Sequence, residues 1–122
     1  MILLDTNALI WLDGGHRRAR PLLRERRRLY VSPAAILELQ FLHECGRIRL
    51  PGGSVQPIVD DERWTLDEPP SGAWFQHAVD LVWTRDPFDR LIAAHAQLRR
   101  WRLATADESL ASQLGPSASL LL

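Results

Sequence analysis

M-I-L-L-D-T-N, residues Met1 to Asn7, places four apolar residues directly before an aspartate, a threonine and an asparagine. A short apolar run without polar alternation is the pattern of a strand in a parallel sheet, where helices cover both faces. Asp5 then stands where the strand ends. Open α/β sheets gather ligands beyond the carboxyl ends of their strands, so an acid delivered there faces the functional crevice. Asp5 or Thr6 also suits a simpler task, capping the helix A-L-I-W-L that follows, since both types accept hydrogen bonds from free helix amides. Whether other acids join Asp5 decides between these readings.

Outward from this strand the chain alternates strand and helix. Asp13-Gly14-Gly15 is a turn. His16 to Arg28 reads as a basic helix with a break or restart at Pro21, and Leu29 to Val31 as a second strand. Ser32-Pro33 supplies an N-cap and first helical residue for a helix through about Cys45, with Gly46 as its stop. After a loop over Ile48 to Gly53 and a brief helix over Val55 to Asp61, Trp64 to Leu66 is a weak third strand. Helices are expected over Ala73 to Trp83 and from Asp86-Pro87 to Arg100. Arg102 to Thr105 is a fourth strand, Asp107 to Leu114 a helix, and Ala118 to Leu122 a closing strand. This order predicts one α/β domain, a parallel sheet with right-handed crossovers, and a site at its carboxyl edge.

The totals fit that reading. A chain of 122 residues forms a single domain with its own core. No apolar run approaches the roughly 20 residues of a membrane span, and the first one ends at Asp5, so no membrane association or signal peptide is expected. Cys45 is the lone cysteine and permits no internal disulfide, which fits a reducing cytoplasm. Net charge is zero, yet Arg17 to Arg28 carries seven arginines against Glu25, and acids dominate Asp60 to Glu68. Such a basic block either contacts phosphates or forms a solvated helix face. All 15 basic residues are arginine. A phosphate-binding P-loop needs its lysine, and receiver domains and haloacid-dehalogenase-like phosphatases also rely on one, so these classes drop out.

Four acids stand out. In the helix after Ser32, Gln40, His43 and Glu44 share one side, whereas Glu38 falls among Ala34, Phe41, Leu42 and Cys45. A glutamate on an apolar stripe must be paired with a base, protonated, or bound to a metal. In D-P-F-D-R, Asp86 suits the N-cap and Asp89 the positive first turn of the following helix. Asp107 repeats the arrangement of Asp5, an acid just past a strand and heading a helix. Acids from four elements at one sheet edge point to a cation site. Two carboxylates about 4 Å apart repel by about 4 kcal/mol at an effective dielectric of 20, so the cluster needs protons or cations to persist. All-oxygen ligands favour Mg²⁺ or Mn²⁺, and neither His43 nor His95 belongs to a Cys/His cluster suited to zinc.

With these residues in place, the chain resembles the PIN-domain nucleases, and among them the VapC-type toxins of bacterial toxin–antitoxin pairs. The resemblance runs through L-L-D-T-N (Leu3 to Asn7), S-P-A-A-I-L-E-L (Ser32 to Leu39), R-D-P-F-D-R-L-I-A-A-H-A (Arg85 to Ala96) and L-A-T-A-D (Leu103 to Asp107). It implies a five-stranded parallel sheet of order 3-2-1-4-5 flanked by helices. It also implies an acidic quartet of Asp5, Glu38, Asp89 and Asp107, with Asn7 and Thr105 as polar supports and Asp86 as a cap and second-line candidate.

The implied activity is an endoribonuclease that uses Mg²⁺ or Mn²⁺ to activate water. Asp5, Asp89 and Asp107 would be ligands, and Glu38 a ligand or the base that orients the water. RNA would approach along the arginine block, with Arg17, Arg18, Arg24 and Arg27 as first candidates. A VapB-type antitoxin and a homodimer are the implied protein partners. The five tryptophans (Trp11, Trp64, Trp74, Trp83, Trp101) belong either to the core or to such surfaces. The alternative from another class is a non-catalytic PIN-like module that binds RNA or protein.

Overall fold

The computed structural model describes residues 1–122. Strands β1 (Ile2–Leu4), β2 (Leu29–Val31), β3 (Thr65–Leu66), β4 (Arg102–Thr105) and β5 (Ser119–Leu121) form one sheet of order β3-β2-β1-β4-β5. Every neighbouring pair is parallel, with Leu4 level with Val31 on one side and Ala104 on the other. Seven α-helices flank it: α1 (Thr6–Gly14), α2 (Arg20–Leu23), α3 (Pro33–Glu44), α4 (Gln56–Val59), α5 (Ser71–Val79), α6 (Pro87–Arg99) and α7 (Glu108–Leu114). No helix is long and apolar enough to cross a membrane.

The apolar run that opens the chain is the central strand. Ile2, Leu3 and Leu4 are wholly buried, as are Leu103 and Ala104 beside them. Burying an aliphatic side chain of this size contributes about 1.5–3 kcal/mol, so β1 and β4 anchor the core. From β1 the chain winds outward to β2 and β3, then crosses back to β4 and β5. The direction of winding therefore reverses between β1 and β4. In open α/β sheets this switch point is where a crevice opens beyond the strand ends.

The expected basic helix over His16 to Arg28 forms only in part, with the expected restart at Pro21. A 3₁₀ turn at Arg17–Ala19 leads into the four-residue α2, and Arg24 to Arg28 is irregular. Pro21 starts a helical turn but cannot sit inside a longer one, and the crowded guanidinium groups repel one another across successive turns. Helix α5 also stops at Val79 rather than Trp83. Trp64 and Trp74 are core residues whose indole N–H groups donate to the carbonyls of Ile58 (2.8 Å) and Leu91 (2.7 Å). Trp11, Trp83 and Trp101 are half-buried, with Trp101 stacked on Tyr30 at 4.3 Å between ring centroids.

Candidate active site

Asp5 caps a helix and lines a site at once. Its amide continues the ladder by donating to the Ala104 carbonyl (3.0 Å), and its Oδ1 accepts the Ala8 amide (2.7 Å) as N-cap of α1. Only 7% of the residue is exposed, yet it borders a cleft of about 290 Å³. Burial pushes its pKa up to about 6, against the opposing pull of the Thr105 hydroxyl and the Ala8 amide.

That cleft brings together Asp5, Glu38, Asp86, Asp89 and Asp107, with Thr6 and Asn7 beside them. Asp107 is the N-cap of α7, its Oδ1 accepting the Leu110 amide (3.0 Å), while its own amide donates to the buried Thr105 hydroxyl (3.0 Å). Asp86 caps α6, accepting the amides of Phe88 (2.8 Å) and Asp89 (3.2 Å). Capping thus accounts for the placement of three acids, and the caps aim them into one space because each helix starts at the carboxyl edge.

Asp89 has no such local partner. Its carboxylate accepts no hydrogen bond within the chain, and its pKa rises to about 7, through burial first and then through repulsion by Asp86, Glu38, Asp107 and Asp5. The next residue, Arg90, points elsewhere and donates to the carbonyls of Thr84 (2.7 Å) and Val79 (3.5 Å).

The stripe around Glu38 is a cleft wall rather than a core face. Phe41, Cys45 and Leu37 are exposed, and Glu38 is half-buried. An ion pair with an arginine, the alternative to a metal or catalytic role, is absent from the chain's salt bridges. Glu38 instead accepts the Thr6 hydroxyl, which ties α3 to α1. Burial raises its pKa despite that bond, and the charges of Asp86 and Asp5 push the same way. Phe41 and Phe88 pack with ring centroids 5.7 Å apart, bracing α3 against the start of α6.

Another acid shows how this fold satisfies a carboxylate that serves only structure. Asp67 follows β3 as Asp5 follows β1, but its oxygens accept from His95 Nε2 (2.7 Å) and from Arg99 Nε and Nη2 (2.9 and 3.2 Å). Burial would raise its pKa, but Arg99 and His95 outweigh burial and hold it below the usual range. None of the cleft acids is paired with a cation in this way, and the three with displaced pKa values all move upward.

Oxygen donors of this number suit a hard divalent cation, which would offset the burial and the mutual repulsion that raise Asp5 and Asp89. In this structure no three of the side chains close on a single point. None of the expected arginines Arg17, Arg18, Arg24 and Arg27 lines the cleft. Arg18 lies over the Trp11 ring (4.5 Å) and donates to the Leu122 carbonyl (2.9 Å), while Arg27 is committed to Glu25 (2.9 Å). Arg24 to Arg28 precede β2 and lie toward the amino edge, where the Arg28 carbonyl accepts the Ile2 amide. The polar cleft residues that sequence reading missed are Thr6, whose partner is remote in the chain, and Arg47, announced only by the preceding Gly46.

Residues 2–113 match the family model of the PIN domain. No curated protein matches the sequence. Among solved structures, a toxin–antitoxin complex from Klebsiella pneumoniae is similar at a TM-score of 0.72 and 20% identity, covering 98% of this chain and 96% of that one. FitAcB from Neisseria gonorrhoeae is similar at a TM-score of 0.54 and 23% identity, with 90% of each chain covered. FitAB bound to an IR36 DNA fragment is similar at a TM-score of 0.54 and 24% identity, over 88% of this chain and 85% of that one. With the family model spanning strands β1 to β4 and every acid of the cleft, the chain belongs to the PIN-domain family.

Proposed function

We propose that this PIN domain is a metal-dependent endoribonuclease and the toxin of a VapBC-type toxin–antitoxin pair. The observation that carries the reading is the convergence of Asp5, Glu38, Asp89 and Asp107 from separate elements on one cleft, with no arginine paired to any of them. Asp5, Asp89 and Asp107 are the proposed ligands of Mg²⁺ or Mn²⁺, and Glu38 a ligand or the base that orients the attacking water. Asn7, Thr105 and Asp86 support them. Such cations, when bound, lower the pKa of water and neutralise charge developing on the scissile phosphate.

The chain's own residues prepare the reaction. The Ala8 amide fixes the Asp5 carboxylate, the Thr6 hydroxyl restrains Glu38, and the Leu110 amide fixes Asp107, while Asp89 is left free to turn toward a cation. Arg17, Arg18, Arg24 and Arg27 add long-range attraction for the RNA backbone. The toxin–antitoxin complex among the structural neighbours is in keeping with an antitoxin as partner, for which a VapB-type protein is the proposal. A homodimer and a cytoplasmic site of action belong to the same proposal.

Induced expression of the chain in a bacterial host tests the reading. Growth arrest with breakdown of RNA is expected, and Asp5→Asn at equal protein level lifts it. Arrest as strong with Asp5→Asn as with the native chain would replace the nuclease with a non-catalytic binding module.

A further inference from the structure

Arg47 is the one cationic side chain lining the acidic cleft. Its backbone is fixed by the end of α3. The Gly46 amide donates to the His43 carbonyl (3.0 Å) and the Arg47 amide to the Leu42 carbonyl (2.9 Å), with Gly46 at φ 74°. These paired bonds form a Schellman motif, which needs a left-handed residue where Gly46 stands. The segment beyond is pinned again, because the Leu50 amide donates to His43 Nδ1 (3.3 Å). The helix that carries Glu38 therefore also sets Arg47 at the rim.

Five carboxylates line this cleft, yet none pairs with the guanidinium, and every ion pair of the chain involves other residues. An exposed, unpaired arginine beside so many acids is left free for an anion that enters from solvent. An RNA strand brings several phosphates to the acids. Cations in the cleft centre would serve the scissile phosphate, and its neighbour on the strand still needs a positive partner. The arginine block from Arg17 to Arg28 does not line the cleft, and among the residues that do, Arg47 alone is placed to supply one.

We propose that Arg47 clamps a phosphate adjacent to the scissile bond, holding its non-bridging oxygens in the two-pronged geometry that a guanidinium offers. Arg47 is thus a substrate-positioning residue, and its role rests on the nuclease reading above.

The test is cleavage of a single-stranded RNA in Mg²⁺ by the native chain, Arg47→Gln and Arg47→Lys, across a range of salt. Arg47→Gln is expected to raise KM about tenfold with kcat changed by less than about threefold, as loss of one charge-assisted contact implies. Arg47→Lys recovers part of the loss. The slope of log affinity against log salt should fall by about 0.7, the share of one single-strand phosphate contact. The Mn²⁺ concentration that half-stabilises the protein against heat should stay within about twofold, because the clamp acts on RNA and not on the cation. An unchanged KM and salt slope in Arg47→Gln, with the native chain active, would overturn the clamp alone. A shift in the Mn²⁺ midpoint as large as that in KM would reassign Arg47 to the cation site. A native chain that neither binds nor cleaves RNA would overturn the nuclease reading and the clamp with it, a result distinct from the other two.

Discussion

Replacing Asp89 with asparagine should stabilise the metal-free protein while abolishing its activity. Asparagine keeps the shape of the side chain and removes a charge that is half-buried among Asp86, Glu38, Asp107 and Asp5 without an internal hydrogen bond. The pKa of about 7, against an ordinary 3.8, sets an upper bound of roughly 4 kcal/mol, at about 1.36 kcal/mol per tenfold in proton affinity. Solvent screening at a half-buried site reduces this to about 1–2 kcal/mol. In a domain of this size that raises Tm by about 4–8 °C. The pH dependence follows from the sign. A carboxyl whose folded pKa is raised binds its proton more tightly folded than unfolded, so it costs stability as pH climbs from about 4 through 7. The gain from Asp89→Asn is therefore greatest above pH 7 and disappears near pH 4. Thermal and urea unfolding in EDTA at pH 8 and pH 4.5 reads both quantities. An Asp89→Asn protein less stable than the native chain at pH 8 would refute the reasoning, since the carboxylate would then be satisfied by the fold.

Asp86→Asn keeps the N-cap of α6 and relieves repulsion, so it should match or exceed native stability in EDTA, whereas Asp86→Ala, losing the bonds to Phe88 and Asp89, should fall about 1 kcal/mol below it in urea melts. His95 is buried between Trp74 and Trp101 and held neutral, its pKa lowered by burial despite Asp67, and its Nδ1 has no partner. A lowered folded pKa means that His95 loses stabilising value as pH falls below its unfolded pKa of about 6.5, so the cost of His95→Gln should be smaller at pH 5 than at pH 7.5. A cost that grows toward pH 5 would show a protonated ion pair instead. Saturating Mn²⁺ should raise the Tm of the native chain, with about 2.7 kcal/mol gained at a hundredfold excess over Kd, and should barely move Asp5→Asn or Asp89→Asn in the same differential scanning experiment.

What could be read from the chain alone was local or periodic. The run Ile2 to Leu4 announced a buried strand because a strand with one solvated face shows polar alternation, and its central place and the pairing order of the five strands agree with what the family resemblance implies. The positions of Asp5, Asp86 and Asp107 were legible because capping chemistry ties an acid to the start of a helix, and in a parallel sheet those starts share one edge. Glu38 was noticed for a partly mistaken reason. Its helix side is apolar, but Phe41 and Cys45 are exposed and Leu42 lines the cleft, and helical spacing cannot tell a core stripe from a cleft wall. The arginine block is helical only around the restart expected at Pro21, and the irregular backbone from Arg24 to Arg28 follows no signal that the reading used. The pairing of Asp67 with His95 and Arg99, and of Thr6 with Glu38, joins residues 28 to 32 positions apart, which no local pattern encodes. Arg47 is significant only because the turn after α3 ends at the cleft.

Cleavage of total RNA by the purified chain, freed of any antitoxin and shown to be folded, is the most direct test of the central claim. Reactions with Mg²⁺, with Mn²⁺ and with EDTA are run beside Asp5→Asn. Fragments that appear only with a divalent cation and vanish in the variant are the predicted result. Intact RNA under every condition, or cleavage that persists in EDTA or in Asp5→Asn, would contradict it.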